Sequence, residues 1–564
     1  MEEQPKANLQ DFLNEVSSFS TEEAPAAPAR PAAPALGAIG HVVEIAGSGS
    51  QIRLDAAAVA ALQAHKDPSI AMSGQVGSQV KMVVGSSWLI ANVRTLKAGD
   101  GGELVAFVDF LGEGSRDSAG RMTNFRRGVT RYPIPGANVS PVTTDDLRSV
   151  FAASDEPHIE IGTVYPTDDI RGALYVDPML GKHFAVLGST GTGKSTSVSL
   201  ILHRISELSP EGHIVMVDPH GEYSAAFKGC GELFNVDNLQ LPYWLMNFEE
   251  HCEVLLTTHG ADRQRDADIL AKCLLAARTK GKDMSQYGKV TVDSPIPYLL
   301  TDFAAIIANE MGKLDRAGDT LPFQRLKTKL EELRADPRYT FMFSGMLVSD
   351  SMGSFISRLF RLPSQGRPIS IVDVSGVPSE ITSVVVSVLA RMVFDYAIWS
   401  RTEAQRPLLL VCEEAHRYVP KDENAENGQA VRKILERIAK EGRKYGVSLG
   451  LITQRPSDLA EGVLSQCGTI VAMRLNNDRD QACVRAAMPE GARGFLDAIP
   501  ALRNRECIVC GEGVAIPIRV RFDDLEPEKR PASSDPSFAR LWRETGDEEG
   551  IINRTIKRWR GHGR

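Results

Sequence analysis

The sequence predicts an α/β protein: a largely parallel sheet covered on both faces by helices, interrupted by a helical insertion and preceded by a small N-terminal β-barrel. Three observations carry that prediction. From about His158 to about Asp523, short apolar runs alternate with helical stretches, the pattern of strands buried on both faces. One of those runs, HFAVL, leads straight into a Gly-rich turn and then a helix-forming stretch. Before it, from Gly37 to about Val150, short apolar runs are punctuated by glycine, as in a closed antiparallel sheet.

Composition sets limits on this picture. The 564 residues, 43% hydrophobic and 24% charged, are too many for one compact core, so at least two folding units are expected. The balance of 64 basic against 72 acidic residues gives −8, which excludes a uniformly basic nucleic-acid binder. Any DNA contact must be local. The 8 cysteines follow no disulfide-like spacing and predict free thiols in a reducing compartment. The N-terminus, MEEQPKANLQDF, is acidic and lacks the apolar core of a signal peptide. The most apolar run, Ile381 to Trp399, is broken by Arg391 and Asp395, so a cytoplasmic protein without stable membrane insertion is expected.

Taken in order, residues 1–36 carry six acids against two bases and include APAAPARPAAPALG, the composition of a disordered, flexible tether. Within it Leu9, Phe12, Leu13, Val16 and Phe19 fall at helical spacing, which suits a short helix with or without a partner groove. Residues 37–150 hold the barrel runs GHVVEIA, QIRLD, VKMVVG, SWLIANVRTL and LVAFVDFLG. They also hold RMTNFRRGVTRY, whose Arg121, Arg126, Arg127 and Arg131 read either as a solvated edge or as a subunit or phosphate contact.

Residues 151–524 form the α/β unit, with strands expected at Phe184–Leu187, His213–Val217, Ile369–Val374, Leu408–Cys412, Val447–Ile452 and Thr469–Arg474. The interval 225–363 is too long for a crossover and contains ADILAKCLLAAR and FQRLKTKLEELRAD, so it reads as an inserted helical subdomain. ECIVC, with Cys507 and Cys510, reads as a strand, because a structural zinc site needs a second ligand pair. Residues 525–564 end in IINRTIKRWRGHGR, which has five bases and no acid: a basic tail that either braces a neighbour, touches DNA or stays in solvent.

The chemistry concentrates at Gly188, Ser189, Thr190, Gly191, Thr192, Gly193, Lys194, Ser195 and Thr196, between the HFAVL strand and a helix. This is a phosphate-binding loop. Its glycines let backbone N–H groups face nucleotide phosphates, Lys194 reaches the β- and γ-phosphates of ATP, and the Ser195 hydroxyl ligates Mg2+. Such a loop requires a second strand bearing carboxylates, and PLLLVCEEAHRYVP supplies one. Glu413 is expected to reach the Mg2+ sphere through water, and Glu414 to polarise the water that attacks the γ-phosphate.

Two more strand ends, VDPHGEY and ITQRPSD, are expected at the same edge of the sheet. Gln454 is placed to sense the γ-phosphate. Asp218, His220 and Glu222 read either as outer supports of the metal or as ordinary turn residues. The helix VRKILERIAKEGRKYG has six bases against two acids. Arg443 at its end is the candidate for an arginine finger entering a neighbour's site, with Arg437 and Arg474 as alternatives and a solvated helix face as the plain reading.

GKHFAVLGSTGTGKS, VDPHGEY, VCEEAHRYVP, EGRKYGVSLGLITQRPS and RGVTRYPIPG resemble the HerA-type ATPases of the HerA/FtsK superfamily, from about Gly37 to about Asp523. The resemblance implies a HAS-barrel, a RecA-like P-loop NTPase core with a helical insertion, and a homohexamer whose central channel takes double-stranded DNA. It implies an ATP-driven translocase or helicase in DNA end processing, repair or defence, with a partner nuclease such as NurA or another effector. It assigns Lys194 and Ser195 to phosphate and magnesium, Glu413 and Glu414 to metal and water, Gln454 to sensing and Arg443 to the finger. The acidic leader departs from the family pattern, and no nuclease motif is evident in the chain. Arg263, Arg265 and Lys272 are candidates for pore contacts by charge alone. Two other readings stay open: a conjugative or type IV secretion motor, and a slow nucleotide-gated scaffold for an effector enzyme.

Overall fold

The computed structural model describes residues 37–561 except 100, 102, 119, 284, 286, 314–316, 345–348, 423–427, 489–492, 533–536, 545 and 547. The predicted tether, 1–36, and Arg564 lie outside the described residues.

Seven strands form the N-terminal unit: β1 (Gly40–Ile45), β2 (Gly49–Asp55), β3 (Gln79–Val84), β4 (Ser87–Ala98), β5 (Glu103–Arg116), β6 (Met122–Arg127) and β7 (Asn138–Pro141). Six of them close a barrel in the order β2-β1-β7-β3-β4-β5, and β5 returns to β2 from Gly49 opposite Asp109 to Asp55 opposite Glu103. The length of β5 allows this: its first half closes the ring and its second half carries β6 outside it. Alternate residues point inward, so Ile52, Leu54, Val80, Met82, Val93, Ala106 and Val108 fill the interior. Trp88, Ile90, Leu111 and Met122 instead join the core of the larger unit, so the barrel packs on its neighbour through apolar contacts. On β6, Arg126 and Arg127 are exposed, while Arg121 pairs with Asp117 at 3.0 Å.

The larger unit is built on β8 (His158–Val164), β9 (Arg171–Tyr175), β10 (Phe184–Leu187), β11 (Ile214–Asp218), β12 (Gly231–Phe234), β13 (Ile369–Asp373), β14 (Leu408–Cys412), β15 (Val447–Thr453), β16 (Thr469–Met473), β17 (Glu506–Gly511) and β18 (Ile518–Phe522). Their order is β12-β13-β11-β14-β15-β10-β16-β17-β18-β8-β9. From β12 to β16 every pairing is parallel, and from β16 to β9 every pairing is antiparallel. β10, β11, β14, β15 and β16 are buried along their whole length, which explains their unbroken apolar sequences.

Two sequence expectations need correction. Strand ends shift by about a residue, so His213 precedes β11 and Arg474 follows β16. The interval 225–363 is not wholly helical, because Gly231–Phe234 forms β12 and pairs with β13 at the edge of the sheet. Four residues are too few to show a period. The helices Phe248–Leu255, Gly260–Thr279, Leu300–Met311 and Ala317–Ala335 follow it, packing around Leu270, Leu274, Phe303, Ile307, Leu326 and Leu330.

The helix Ser379–Trp399 is, among the described residues, the one long and apolar enough to cross a membrane, but 72% of its apolar window is buried in the core. Its Arg391 pairs with the fully buried Glu250 at 2.9 Å and with Asp395 at 3.2 Å. Cys507 and Cys510 lie three residues apart on β17, where strand geometry turns them to opposite faces, and both are buried.

Candidate nucleotide-binding site

Gly188 directly follows β10, and a Cβ there would lie 2.8 Å from Met473 Cβ. Gly191 and Gly193 have φ of +78° and +92°, and a side chain at Gly193 would meet Arg505 Cγ at 3.0 Å. Only glycine satisfies both demands at that position. The loop is held by its surroundings: Ser189 N donates to Arg474 O at 2.9 Å, Arg505 N to Thr192 O at 2.8 Å, and the Thr192 hydroxyl to Ser189 O at 2.8 Å. The helix Lys194–Leu208 starts directly after it, aiming its free N–H groups at the loop's concavity.

Lys194 is buried, with Nζ 3.6 Å from Glu414 Oε1 and 4.0 Å from Glu413 Oε1. The two carboxylates follow β14, which lies two strands from β10, with β15 between them. Glu413 accepts a hydrogen bond from the Tyr223 hydroxyl at 2.8 Å, and the Ser195 hydroxyl contacts the same phenol. Burial pushes the Glu413 carboxyl up to about 7, against the opposing pull of Lys194 and the Tyr223 bond. The same burial raises the Tyr223 phenol well above its ordinary value, so it stays a donor.

Tyr223 reaches Glu413 because Asp218, the last residue of β11, folds the VDPHGEY turn. Its carboxylate accepts from His220 N at 3.1 Å, Gly221 N at 2.9 Å and Tyr223 N at 2.9 Å. Asp218 therefore acts as a turn residue, and the next turn places the phenol.

Glu414 occupies the left-handed region at φ 51°, a conformation that non-glycine residues adopt at a cost of order 1–3 kcal/mol. This turns its side chain back toward Lys194. Its second oxygen, Oε2, is buried, makes no hydrogen bond and lies 3.2 Å from His416 Nδ1. Gln454 follows β15 and accepts a hydrogen bond from the Thr190 hydroxyl, linking that strand end to the phosphate loop. A cavity of about 400 Å³ opens beside this link, bordered by Ser189, Thr190, Gln454, Asn477 and Asp480.

The structure thus brings residues 188–196, Glu413, Glu414 and Gln454 to one edge of the sheet. Arg443 is not among them. It sits in the short turn Gly442–Tyr445 just before β15, at the opposite edge, exposed beside a cavity of about 960 Å³. Of the alternatives, Arg437 pairs with Glu441 at 3.5 Å and lies 4.9 Å from the Phe394 ring centroid. Arg474 stands beside its own chain's loop and bonds Asn504 at 2.9 Å. Tyr223, Thr453, His416 and Arg505 take part in the site without having been expected there. Tyr223, Thr453 and His416 lie inside VDPHGEY, ITQRPSD and VCEEAHRYVP, segments already placed at this edge, whereas Arg505 lies in none of them.

A buried lysine at a helix N-terminus, facing two carboxylates across a parallel sheet with a polar residue on the intervening strand, defines a RecA-like P-loop NTPase. Residues 159–393 match the family described as "Helicase HerA, central domain". The DNA double-strand break repair helicase HerA of Pyrococcus furiosus is 25% identical over 519 residues, 85% of this chain and 89% of that one. Its namesake in Sulfolobus acidocaldarius is 25% identical over 433 residues, 76% of this chain and 80% of that one. The solved structure of VirB4 of Thermoanaerobacter pseudethanolicus matches with a TM-score of 0.48 at 14% identity, over 67% of this chain and 99% of that one. The chain is thus similar to the HerA-type helicases over most of its length.

Proposed function

We propose that this protein hydrolyses ATP to move along double-stranded DNA as a cytoplasmic homohexamer, with the duplex in a central channel. It would serve DNA end processing, repair or defence beside a partner nuclease or another effector, without stable insertion into a membrane. The observation that carries the reading is the meeting of Lys194, Ser195, Glu413, Glu414 and Gln454 at the carboxyl ends of three adjacent strands, β10, β15 and β14. The double-strand break repair helicases among its relatives support DNA as the substrate.

ATP and Mg2+ fit the residues present. The loop backbone is open at Gly191, Lys194 faces two carboxylates that outnumber its charge, and Glu414 Oε2 is a buried acceptor without a partner. Magnesium, when bound, supplies neutralisation of the phosphate charge. In this reading residues 188–196 bind the phosphates, with Lys194 on the β- and γ-phosphates. Ser195 and Glu413 hold the metal sphere. Glu414 orients the attacking water and takes its proton, and Gln454 senses the γ-phosphate. Arg443, at the far edge of the sheet, serves as a finger for a neighbouring copy, because its own chain's site is out of reach.

The test is turnover of the purified protein with and without linear duplex DNA, with native mass measured alongside. A six-copy assembly whose hydrolysis rises with DNA is the expected result. Turnover by a monomer, indifferent to DNA, overturns the reading.

A further inference from the structure

His416 stands between two acceptors and has one hydrogen atom to give from Nδ1. Thr453 Oγ1 is 2.9 Å away and hydrogen-bonded to it, and Glu414 Oε2 is 3.2 Å away and not bonded. The tautomer follows from the neighbours. With a bare Nδ1, an imidazole lone pair would face a carboxylate oxygen buried without any other partner, so the proton belongs on Nδ1. Leaving a buried carboxylate oxygen unpaired costs more than leaving a hydroxyl unpaired. The donor and the orphan are thus poised for an exchange of partners.

Thr453 is the residue through which such an exchange would be triggered. It is fully buried at the end of β15, and its hydroxyl also accepts from Arg455 N at 3.0 Å. Its carbonyl accepts from Gly188 N at 3.3 Å, and the next residue, Gln454, is bonded by Thr190. The start of the phosphate loop is therefore bonded both to the residue that holds His416 and to the residue after it.

We propose that His416 is a positioning residue: when Gln454 engages the γ-phosphate, His416 Nδ1–H passes from Thr453 to Glu414 Oε2 and fixes that carboxylate for water activation. The proposal rests on the ATPase reading above. It makes turnover depend on a donor at the Nδ1 position, while nucleotide binding does not.

The experiment compares wild type with His416→Ala, His416→Asn and Thr453→Val, measuring kcat, KM and the affinity for a fluorescent ATP analogue. Asn presents an amide N–H where Nδ1 stands. His416→Ala is expected to keep analogue affinity within about twofold and lose about 10- to 100-fold in kcat, with His416→Asn recovering most of it. In Thr453→Val, Glu414 Oε2 is the remaining oxygen facing Nδ1, so that variant is expected to keep its dependence on His416, the double variant being as slow as His416→Ala. The proposal is overturned if His416→Ala turns over like wild type, if His416→Asn is as slow as His416→Ala, or if His416→Ala no longer binds nucleotide. A wild-type protein without turnover overturns the ATPase reading itself, and this proposal with it.

Discussion

Glu414 and Gly193 show how much of the site is decided by single backbone positions. Glu414 is held at φ 51°, so its carboxylate folds back to Lys194 instead of continuing along β14. Replacing it with Gln keeps the volume and the left-handed turn but removes the charge. We expect Glu414→Gln to bind ATP as wild type does while turnover falls by about 100-fold or more, checked by single-turnover kinetics beside an affinity titration. Gly193 at φ +92°, with Arg505 Cγ 3.0 Å from a would-be Cβ, admits a side chain only in a strained backbone and with a shift of Arg505. Gly193→Ala should cost about 1–3 kcal/mol in strain, read as a lower melting temperature, together with weakened ATP binding. Lys194, Ser195 and both glutamates were legible because each lies in a contiguous motif. Tyr223 lies in VDPHGEY, but its bond to Glu413 was not legible: it comes through a turn folded by Asp218, and 190 residues separate the bonded pair.

At the scale of elements, apolar runs located the central strands, since strands buried on both faces need no alternation. β12 escaped because it is four residues long and begins at Gly231, inside a stretch otherwise dominated by helix. The helix Ser379–Trp399 carries its charge in the core, where Arg391 bonds Glu250 through Nε and Nη2 and Ser387 donates to the same carboxylate at 2.8 Å. Removing Glu250 would leave a buried guanidinium without its main partner. Glu250→Ala is therefore expected to destabilise the protein by about 3–5 kcal/mol, measurable as a shift in the denaturant midpoint. Converting the pair to apolar residues of similar volume should recover much of that loss.

Across the whole molecule, the distribution of charge matters more than its sum. The net −8 includes six acids and two bases in residues 1–36, while residues 431–445 hold six bases against two acids. Arg443 belongs to that basic segment and sits at the sheet edge away from its own phosphate loop. In an assembly where one copy's far edge meets the next copy's site, Arg443→Ala should abolish turnover in uniform rings. Mixing it with Lys194→Ala subunits should restore part of the turnover, because some junctions then pair an intact loop with an intact arginine. Equal inactivity in mixed and uniform rings, with assembly intact by native mass, would count against Arg443 as the residue acting between copies.

The sequence by itself determined the phosphate loop, the paired glutamates, the succession of barrel and α/β unit, and the family resemblance, because each is written in consecutive residues whose spacing has a local physical meaning. The tertiary structure alone decided which distant residues complete the site. The order β14-β15-β10 places Thr453 and Gln454 between the loop and the carboxylates, and the β11 turn brings Tyr223 under Glu413. Strand order in a parallel sheet is fixed by how helices pack over its faces, and that packing sums contacts across the whole chain. No window of the sequence contains it.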